Sequence, residues 1–459
     1  MTFTRMYKWL PKTHSTQAVT PWEDLSHPAE MEARDYQVEG AGWLHAGERR
    51  ILGDDAGLGK TLQAAMAAVR PVLVVCPTYL VWQWAEFIEQ EFPNDTISVA
   101  GVGNRKQRHK ALTGSENLAT LVGKAPADWT IVNTDMLRGY MMPDVETVIL
   151  DESHHFRNRE AERSKNCAAL CKRTRRVYQL TATPVYKDVS NLFQLLHLLD
   201  PIKYSSYWDF INDHCVTYGD RWKINIVRLK NPAALERELE HWLLRRTYKD
   251  VGLFLPKAID HHLVIELSDS MKTIYNNLRD FYRKPDGEYA SSAAEILHML
   301  RHTTVGPKIQ EIPHILDDNP GPAVVFTWYR EAADIAAEEL KKLFKRPGDP
   351  VVVKGDLDAD IRASVAKDAI AKGGIVVATM ASLGEGVDLS AAKNCIFLEE
   401  DYVPGRMYQT MRRIQRWTTD ERPVQVHYLR CRGTVDTIVH RAVNDRKGTT
   451  QQILKDALE

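Results

Sequence analysis

The 459-residue chain lacks long apolar runs and has almost no net charge. No window approaches the roughly 18 consecutive apolar residues that a membrane-spanning helix needs, and the N-terminus lacks the apolar core of a secretion signal. A formal net charge of −1 supplies no global attraction to nucleic acid, so any such contact must come from local groups. We therefore expect neither export nor insertion into a membrane.

Cysteine is also scarce. The six cysteines are scattered, and no two have the CxxC spacing of a zinc or redox site. Cys167 and Cys171 are four residues apart, which places them on one face of a helix, and we expect them to be packing residues. This cysteine usage indicates a reducing compartment: a bacterial or host cytoplasm, or the nucleus if the source is eukaryotic.

The remaining composition is that of a soluble globular protein, with 44% hydrophobic and 26% charged residues. Because single cores rarely exceed roughly 250–300 residues, the length predicts two or three domains.

The most informative stretch is Gly53–Thr61, which ends in Gly57-Leu58-Gly59-Lys60-Thr61 and runs into a helix-like segment. Glycines let backbone N–H groups turn towards an anion, a helix N-terminus adds partial positive charge, a lysine reaches terminal phosphates, and a hydroxyl can ligate Mg²⁺. The strict G-x-x-x-x-G-K-[ST] pattern requires glycine where this chain has Asp54. The stretch predicts a phosphate cradle, and an ordinary glycine-rich turn is the alternative.

A second signal is the apolar run Val148-Ile149-Leu150, which ends in two acids, Asp151 and Glu152. A buried parallel strand would deliver these carboxylates to the carboxyl edge of a sheet. Asp151 would then hold Mg²⁺, and Glu152 would polarise the attacking water as general base. The alternative is a strand that ends in a solvated acidic turn.

Strand-like and helical segments alternate in two parts of the chain, which predicts two parallel α/β lobes. The first lobe, with the cradle, spans about 32–200, and the second spans about 306–440. Residues 1–31 form an irregular lead-in, residues 201–305 a mainly helical region in which the sheet pattern pauses, and residues 441–459 a C-terminal helix or tail. The predicted fold class is α/β, with two tandem parallel-sheet lobes and a helical insertion between them.

The second lobe has no cradle, but it carries a basic segment. Gln409, Arg413 and Arg416 fall at i, i+4 and i+7, on one face of a helix. An arginine aimed at the γ-phosphate would neutralise charge that develops in the transition state. A solvated basic helix is the alternative. In the first lobe, Gln37 precedes the cradle, and its amide can both donate to and accept from an adenine edge.

Taken in order, these strings resemble the Swi/Snf-related ATPases of helicase superfamily two, DNA-translocating motors that include fork-remodelling annealing helicases. The resemblance covers about Ala33 to Lys447. It rests on Asp54–Thr61, Asp151-Glu152-Ser153-His154, Leu180–Pro184, Gly384–Leu389 and the string Leu243-Leu244-Arg245-Arg246-Thr247, which general helicases lack. Thr418-Thr419 stand where the family usually has Gly-Gln.

The resemblance implies ATP and Mg²⁺ as cofactors and assigns roles by motif position. The implied nucleotide-binding residues are Gln37, Asp54, Gly57, Leu58, Gly59, Lys60, Thr61, Gly386 and Gln409, with Thr61 and Asp151 at the metal. The implied catalytic residues are Lys60, Asp151, Glu152, Arg413 and Arg416. The implied contacts to the nucleic-acid backbone are Thr78, Thr134, Thr379 and Ser382, and the implied coupling residues are His154, Thr181 and Thr183.

The expected function is a DNA-stimulated ATP hydrolase that moves along duplex or forked DNA and remodels it. A strand-separating helicase would share every motif, and a nucleotide-gated DNA-binding module with little turnover is a further alternative. A small-molecule kinase is disfavoured by the second lobe. We expect a monomeric motor core of viral or bacterial origin, without an intrinsic chromatin reader or membrane contact. Because the sequence shows no nuclease carboxylate set, a nuclease or a replication protein is a candidate partner.

Overall fold

The computed structural model describes residues 33–100, 127–139, 142–185, 189–220, 223–253, 255–281, 292–344, 351–353, 359–383, 387–401, 403–415 and 422–441. The described chain divides into two compact units, one ending at residue 253 and one beginning after it.

The first unit is built on a parallel sheet whose two faces are both buried. Its strands, in chain order and within the described residues, are β1 (Arg49–Leu52), β2 (Val72–Cys76), β3 (Ile97–Ala100), β4 (Trp129–Asn133), β5 (Thr147–Asp151), β6 (Arg176–Leu180) and β9 (Leu243–Leu244). They lie in the order β3-β4-β2-β5-β6-β1-β9, and every neighbouring pair is parallel. Along β5, Val148 and Leu150 join one hydrophobic core and Ile149 joins the other, which explains the continuous apolar run in the sequence.

Helices cover this sheet. The described helices of the first unit are α1 (Asp35–Gly47), α2 (Lys60–Ala67), α3 (Val81–Glu91), α4 (Glu162–Arg173), α5 (Ser190–Leu199), α6 (Tyr207–His214) and α7 (Pro232–Glu240). Residues of α1, α2 and α3 contribute to one core, and residues of α4 and α5 contribute to the other. An antiparallel hairpin, β7 (Cys215–Asp220) and β8 (Lys223–Leu229), lies outside the main sheet.

The second unit repeats the parallel α/β design. Its described strands are β10 (Ala258–Ile265), β11 (Ala323–Thr327), β12 (Val351–Val353), β13 (Ile375–Thr379), β14 (Asn394–Phe397) and β15 (Val424–Cys431), in the order β10-β15-β14-β11-β13-β12. Its described helices are α8 (Asp269–Phe281), α9 (Ala293–Thr303), α10 (Val305–Ile309), α11 (Ile312–Asp318), α12 (Arg330–Leu343), α13 (Ala359–Ala371) and α14 (Pro404–Met411). Two parallel sheets, each in its own unit, confirm the predicted fold class of two tandem α/β lobes.

One sequence expectation differs from the structure. The sequence predicts that the sheet pattern pauses between 201 and 305, whereas β9 extends the first sheet and β10 extends the second. β9 has only two residues, which is too short to show a period. β10 lies at the edge of its sheet, and its centre carries Asp260, His261 and His262, so it lacks the apolar run of a buried strand.

The scarce features of the sequence have simple structural counterparts. All six cysteines are buried and free. Cys167 and Cys171 lie inside α4 with their sulfur atoms 4.0 Å apart, as expected of packing residues. Among the described residues, we find no helix with the length and apolar character needed to cross a lipid bilayer.

Arg49, at the start of β1, joins the C-terminal ends of two helices. Its guanidinium donates to the carbonyls of Cys171 and Thr174 at the end of α4, at 3.1 and 2.6 Å. It also donates to the carbonyls of Leu198 and Leu199 at the end of α5, at 3.1 and 2.6 Å. The last carbonyls of a helix have no partner within the helix, and a cation near them also interacts favourably with the negative end of the helix dipole.

We predict that Arg49→Met lowers the free energy of unfolding of the first unit by about 3 kcal/mol, because carbonyls at two helix ends lose a charged donor. The measurement is chemical denaturation followed by circular dichroism. Arg175→Met is the matched control, since Arg175 pairs with Glu48 on the exposed surface and should matter little. Equal effects of the two substitutions would contradict the capping role.

Candidate functional site

The segment Gly53–Gly59 leaves the carboxyl end of β1 and turns directly into α2. Gly57 and Gly59 have φ values of 87° and 75°, in the left-handed region that glycine enters without steric cost. Space is also limiting: a Cβ on Gly57 would lie 2.4 Å from the Tyr248 hydroxyl, and a Cβ on Gly59 would lie 2.3 Å from the Gln37 amide nitrogen. The shape of the loop therefore requires both glycines.

Lys60 and Thr61 occupy the first turn of α2. The Lys60 ammonium donates to the backbone carbonyls of Asp54 at 2.7 Å and Asp55 at 3.2 Å. The Leu58 carbonyl accepts from the side-chain amide of Gln63 at 3.1 Å. An ammonium, a helix N-terminus and a hydroxyl at one glycine-rich turn form the donor set that binds phosphate oxygens.

Asp151 ends β5, and because the strands are parallel, it lies at the same sheet edge as the loop after β1. Its Oδ2 accepts from the indole N–H of Trp84 at 2.8 Å, and its Oδ1 accepts from the backbone N–H of Glu152 at 2.9 Å. Burial raises the pKa of Asp151 to about 7; the charge of Glu152 adds to the rise, whereas the Trp84 bond and the Lys60 charge oppose it. The loop and this acid therefore lie at the same carboxyl edge, on strands separated only by β6.

Glu152 has a backbone conformation that is rare for a residue with a side chain. Its φ of 48° and ψ of 51° are left-handed, which costs roughly 1–2 kcal/mol for an L-residue. Its Oε2 lies 3.1 Å from Nδ1 of the buried His154, and the His154 ring stacks on His155 with centroids 4.6 Å apart. Strain of this kind concentrates at functional sites.

The loop is supported by the segment that follows α7. The backbone N–H groups of Gly53 and Asp55 donate to the carbonyls of Leu244 and Arg246, at 2.7 and 2.9 Å, and thereby continue the pairing of β1 with β9. The Tyr248 hydroxyl donates to the Ala56 carbonyl at 2.6 Å. Three backbone groups of the loop are thus held by residues 244–248.

Asp54, which the resemblance assigns to the nucleotide, has both carboxylate oxygens engaged within the protein. Arg246 donates to Oδ1 from its backbone N–H at 3.0 Å and from Nε at 3.1 Å, and to Oδ2 from Nη2 at 2.6 Å. Gln63 donates to Oδ2 at 3.2 Å. We infer that the Asp54 side chain stabilises the loop through these contacts with Arg246 and Gln63.

Thr181 and Thr183, the predicted coupling residues, are buried beside the loop. The Thr181 N–H donates to the carbonyl of Leu52 at 3.1 Å, and its hydroxyl oxygen accepts from the Thr183 N–H at 3.1 Å. Arg245 connects this segment with the loop, since its Nη1 donates to Gly53 O at 2.9 Å and to Ala182 O at 3.0 Å.

The four threonine and serine candidates for DNA contact all follow strand ends. Thr78 is exposed after β2, and Thr134 is buried after β4, the neighbouring strand. In the second unit, Thr379 ends β13, and its hydroxyl oxygen accepts from the Ser382 N–H at 3.0 Å, while the Ser382 hydroxyl donates to Thr379 O at 3.0 Å. Each pair therefore lies at the carboxyl side of its own sheet.

The predicted arginine helix of the second unit is shorter than expected. α14 ends at Met411, so Gln409 lies within it and Arg413 lies in the turn that follows. The Arg413 N–H donates to Thr410 O, three residues back, and the Arg413 carbonyl accepts from the Leu389 N–H. Arg413 is buried, with Nη1 3.4 Å from Met380 O. Arg416 and Gly386 lie outside the described residues.

The donors at the loop fit Mg²⁺ in chemical type, because Mg²⁺ prefers oxygen ligands and retains waters while it shares substrate phosphates. The Thr61 hydroxyl and the Asp151 carboxylate are the candidate protein ligands. Within the described ranges, no group of three or more His, Cys, Asp and Glu side chains could hold a metal. A Mg²⁺ ion held by Thr61 and Asp151 would complete its coordination with water and phosphate oxygens.

A parallel α/β lobe with a phosphate-type loop and paired acids at one sheet edge defines a nucleotide-binding ATPase lobe of the RecA-like class. The SNF2-related domain model matches residues 36–310, and the helicase conserved C-terminal domain model matches residues 307–418. The chain belongs to the SNF2-related ATPases of helicase superfamily two.

Individual relatives are distant. The chain is 24% identical over 438 residues to the Mus musculus DNA annealing helicase and endonuclease ZRANB3, covering 90% of this chain and 40% of that protein. It is also 24% identical over 433 residues to the Xenopus tropicalis SWI/SNF-related matrix-associated actin-dependent regulator of chromatin subfamily A-like protein 1, covering 90% and 44%. The chain thus spans less than half the length of these relatives.

Among solved structures, the chain is similar to the Sulfolobus solfataricus SWI2/SNF2 ATPase core in complex with dsDNA. The identity is 19%, the TM-score is 0.43, and the match covers 93% of this chain and 94% of that one.

We predict an inverted stability order at Glu152. Glu152→Gly should be more stable than Glu152→Ala by about 1 kcal/mol, because only glycine relieves the left-handed backbone. Both variants lack the carboxylate, so the comparison isolates the Cβ, and thermal unfolding measures it. At the control position Glu162, which is exposed in α4, the alanine variant should be the more stable one. If the alanine variant is the more stable one at both positions, the backbone of Glu152 is not strained.

Proposed function

We propose that this chain hydrolyses ATP to move along duplex or forked DNA and remodel it. The observation that carries the proposal is the carboxyl edge of the first sheet, where the Gly53–Thr61 loop follows β1 and Asp151-Glu152 lie at the end of β5, two parallel strands separated by β6. Family membership supports the use of ATP. The names of the relatives, among them a DNA annealing helicase, support DNA as the substrate.

In this proposal, the residues of the first unit divide the chemistry. The loop presents the backbone N–H groups of Gly57, Leu58 and Gly59 to the phosphates. The Lys60 ammonium releases the carbonyls of Asp54 and Asp55 and donates to phosphate oxygens instead. Mg²⁺, held by Thr61 and Asp151, would neutralise charge on the phosphate oxygens. Trp84 and the Glu152 N–H fix the orientation of the Asp151 carboxylate.

Glu152 is the proposed general base, which orients water towards the γ-phosphate. Its contact with His154 at 3.1 Å limits where the carboxylate can lie. Gln37 reads the adenine. In the second unit, Gly386 and Gln409 complete the nucleotide site, and Arg413 and Arg416 stabilise the charge of the transition state, an effect on the order of 10³–10⁵ in rate in other nucleotide hydrolases.

The proposed DNA contacts are to the backbone, so they should carry little sequence preference and should weaken with salt. Thr78 and Thr134 would serve the first unit, and Thr379 and Ser382 the second. Thr181, Thr183 and His154 would relay the state of the nucleotide to these contacts. We propose a monomeric core, with a nuclease or a replication protein as partner.

We predict that Lys60→Ala and Glu152→Gln each reduce DNA-stimulated ATP hydrolysis by about 100-fold or more, because one loses the phosphate cation and the other the base. DNA binding should persist in both variants. The measurement is phosphate release with blunt duplex, forked DNA, single strand and RNA, each at two salt concentrations. Lys165→Ala, on the exposed face of α4, is the control. Turnover at the wild-type rate in either site variant would refute the assignment.

We also predict that the protein displaces a third strand from a triplex in an ATP-dependent reaction, because a duplex-tracking motor need not separate the strands on which it moves. A forked duplex in a parallel reaction provides the comparison. Fork unwinding without triplex displacement would favour a strand-separating helicase. DNA binding without either reaction, and without turnover, would favour a nucleotide-gated binding module.

A further inference from the structure

Arg246 uses every N–H donor of its guanidinium inside the protein. Nε and Nη2 donate to Asp54, and Nη2 also donates to Gln63 Oε1 at 2.7 Å. Nη1 donates to the backbone carbonyl of Tyr36 and lies 3.3 Å from a carboxylate oxygen of Glu39. Asp54 belongs to the phosphate loop, Gln63 to α2, and Tyr36 and Glu39 to α1. One side chain therefore ties three elements together.

Gly40 shows how closely α1 approaches this assembly. A Cβ at this position would lie 1.9 Å from Gln63 Oε1 and 2.5 Å from Arg246 Nη2. Glycine inside a helix costs roughly 0.5–1 kcal/mol relative to alanine. The cost is offset here by the contact it permits, since α1 can lie directly against the arginine and the loop.

Gln37, the proposed reader of adenine, lies on the same first turn of α1 as Tyr36. Its Nε2 is 3.4 Å from Leu58 O, and its Oε1 accepts from the Arg34 N–H at 3.0 Å. An amide has two N–H donors and two acceptor lone pairs, so one donor and one acceptor remain. This remaining pair matches the donor and acceptor that adenine presents on one edge.

We propose that Arg246 is a positioning residue for base discrimination: it holds the Gln37-bearing turn of α1 at a fixed distance from the phosphate loop. The inference rests on the proposed function and extends it to substrate choice. A nucleotide whose triphosphate is seated in the loop then presents its base to an amide that cannot shift. A guanine, which has a carbonyl where adenine has an amino group, meets the same amide with the wrong pattern.

The competing view is that Arg246 only keeps the loop folded. The two views differ in how weaker Arg246 contacts change the affinity for different ligands. A loop that loses its shape binds every triphosphate less well, whether or not a base is attached. An α1 turn that drifts reduces the preference for adenine and leaves the affinity for a bare triphosphate almost unchanged.

The test uses Arg246→Lys in the full chain, because lysine keeps a positive charge beside Asp54 but cannot span Asp54, Gln63 and Tyr36 together. ATP, GTP and inorganic tripolyphosphate each displace a fluorescent ATP analogue at a fixed Mg²⁺ concentration. We expect the ratio of ATP to GTP affinity to fall about tenfold, the effect of roughly one well-placed hydrogen bond. The affinity for tripolyphosphate should change by less than about twofold, because lysine keeps the cation that compensates the buried Asp54 carboxylate and so preserves the loop.

Two further variants separate positioning from folding. Gly40→Ala forces both Gln63 Oε1 and Arg246 Nη2 away from α1 and keeps both charges, so it should reduce the ATP to GTP ratio in the same way. It carries the test if Arg246→Lys unfolds. Gln37→Ala should remove the same preference, and Gln37→Ala combined with Arg246→Lys should lose no more than Gln37→Ala alone, since both act through one amide.

Arg245→Lys is the matched control. Arg245 contacts Gly53 and Asp55 in the loop and Ala182 in the segment after β6, so its variant should weaken the binding of all three ligands by a similar factor. An equal loss of all three ligands in Arg246→Lys, or an unchanged ATP to GTP ratio in both Arg246→Lys and Gly40→Ala, overturns the inference. A wild-type chain that prefers ATP, and loses this preference in Arg246→Lys, but shows no DNA-stimulated turnover would instead overturn the proposed motor and leave the role of Arg246 intact.

Discussion

The buried ion pair between Asp54 and Arg246 is the interaction on which the candidate nucleotide site depends. The Asp54 side chain has no exposed surface, and the Arg246 side chain that faces it is 10% exposed. Removing one partner of such a pair costs roughly 3–5 kcal/mol, because a buried charge is left without compensation. The partners are 192 residues apart, so the shape of the phosphate loop is imposed by a distant segment as much as by its own glycines.

This pair also explains why the loop departs from the strict phosphate-loop pattern. Among the described residues, the non-glycine positions with positive φ are Glu48 and Glu152, so position 54 does not need glycine for its backbone. Its side chain points towards Arg246 and Gln63, which donate hydrogen bonds to its carboxylate. An aspartate is therefore accommodated at this position, and its charge contributes a contact that anchors the loop.

The sequence predicts what is local or strongly periodic. The apolar runs of β2, β4, β5 and β6 are recognisable because both faces of the sheet are buried, and the acids at the end of β5 are predicted from the direction of a parallel strand. β9 and β10 are missed, the first because two residues show no period. The Trp84 bond to Asp151 is missed because nothing in the sequence pairs a helix residue with a strand end 67 positions later. The string Leu243–Thr247 indicates the family, but it does not indicate which residues its side chains contact.

The role of β9 bears on where the nucleotide-binding lobe ends. A lobe that stopped near residue 200, as the alternation of strands and helices suggests, would leave β1 as the edge of its sheet and expose its unpaired backbone groups. The buried Asp54 carboxylate would remain without its cation, and the N–H groups of Gly53 and Asp55 would lose their acceptors. The loop is complete only when residues 242–248 are present, which agrees with a first unit that extends to residue 253. We therefore propose that the chain between the predicted lobes is, in its 242–248 part, a structural component of the nucleotide site.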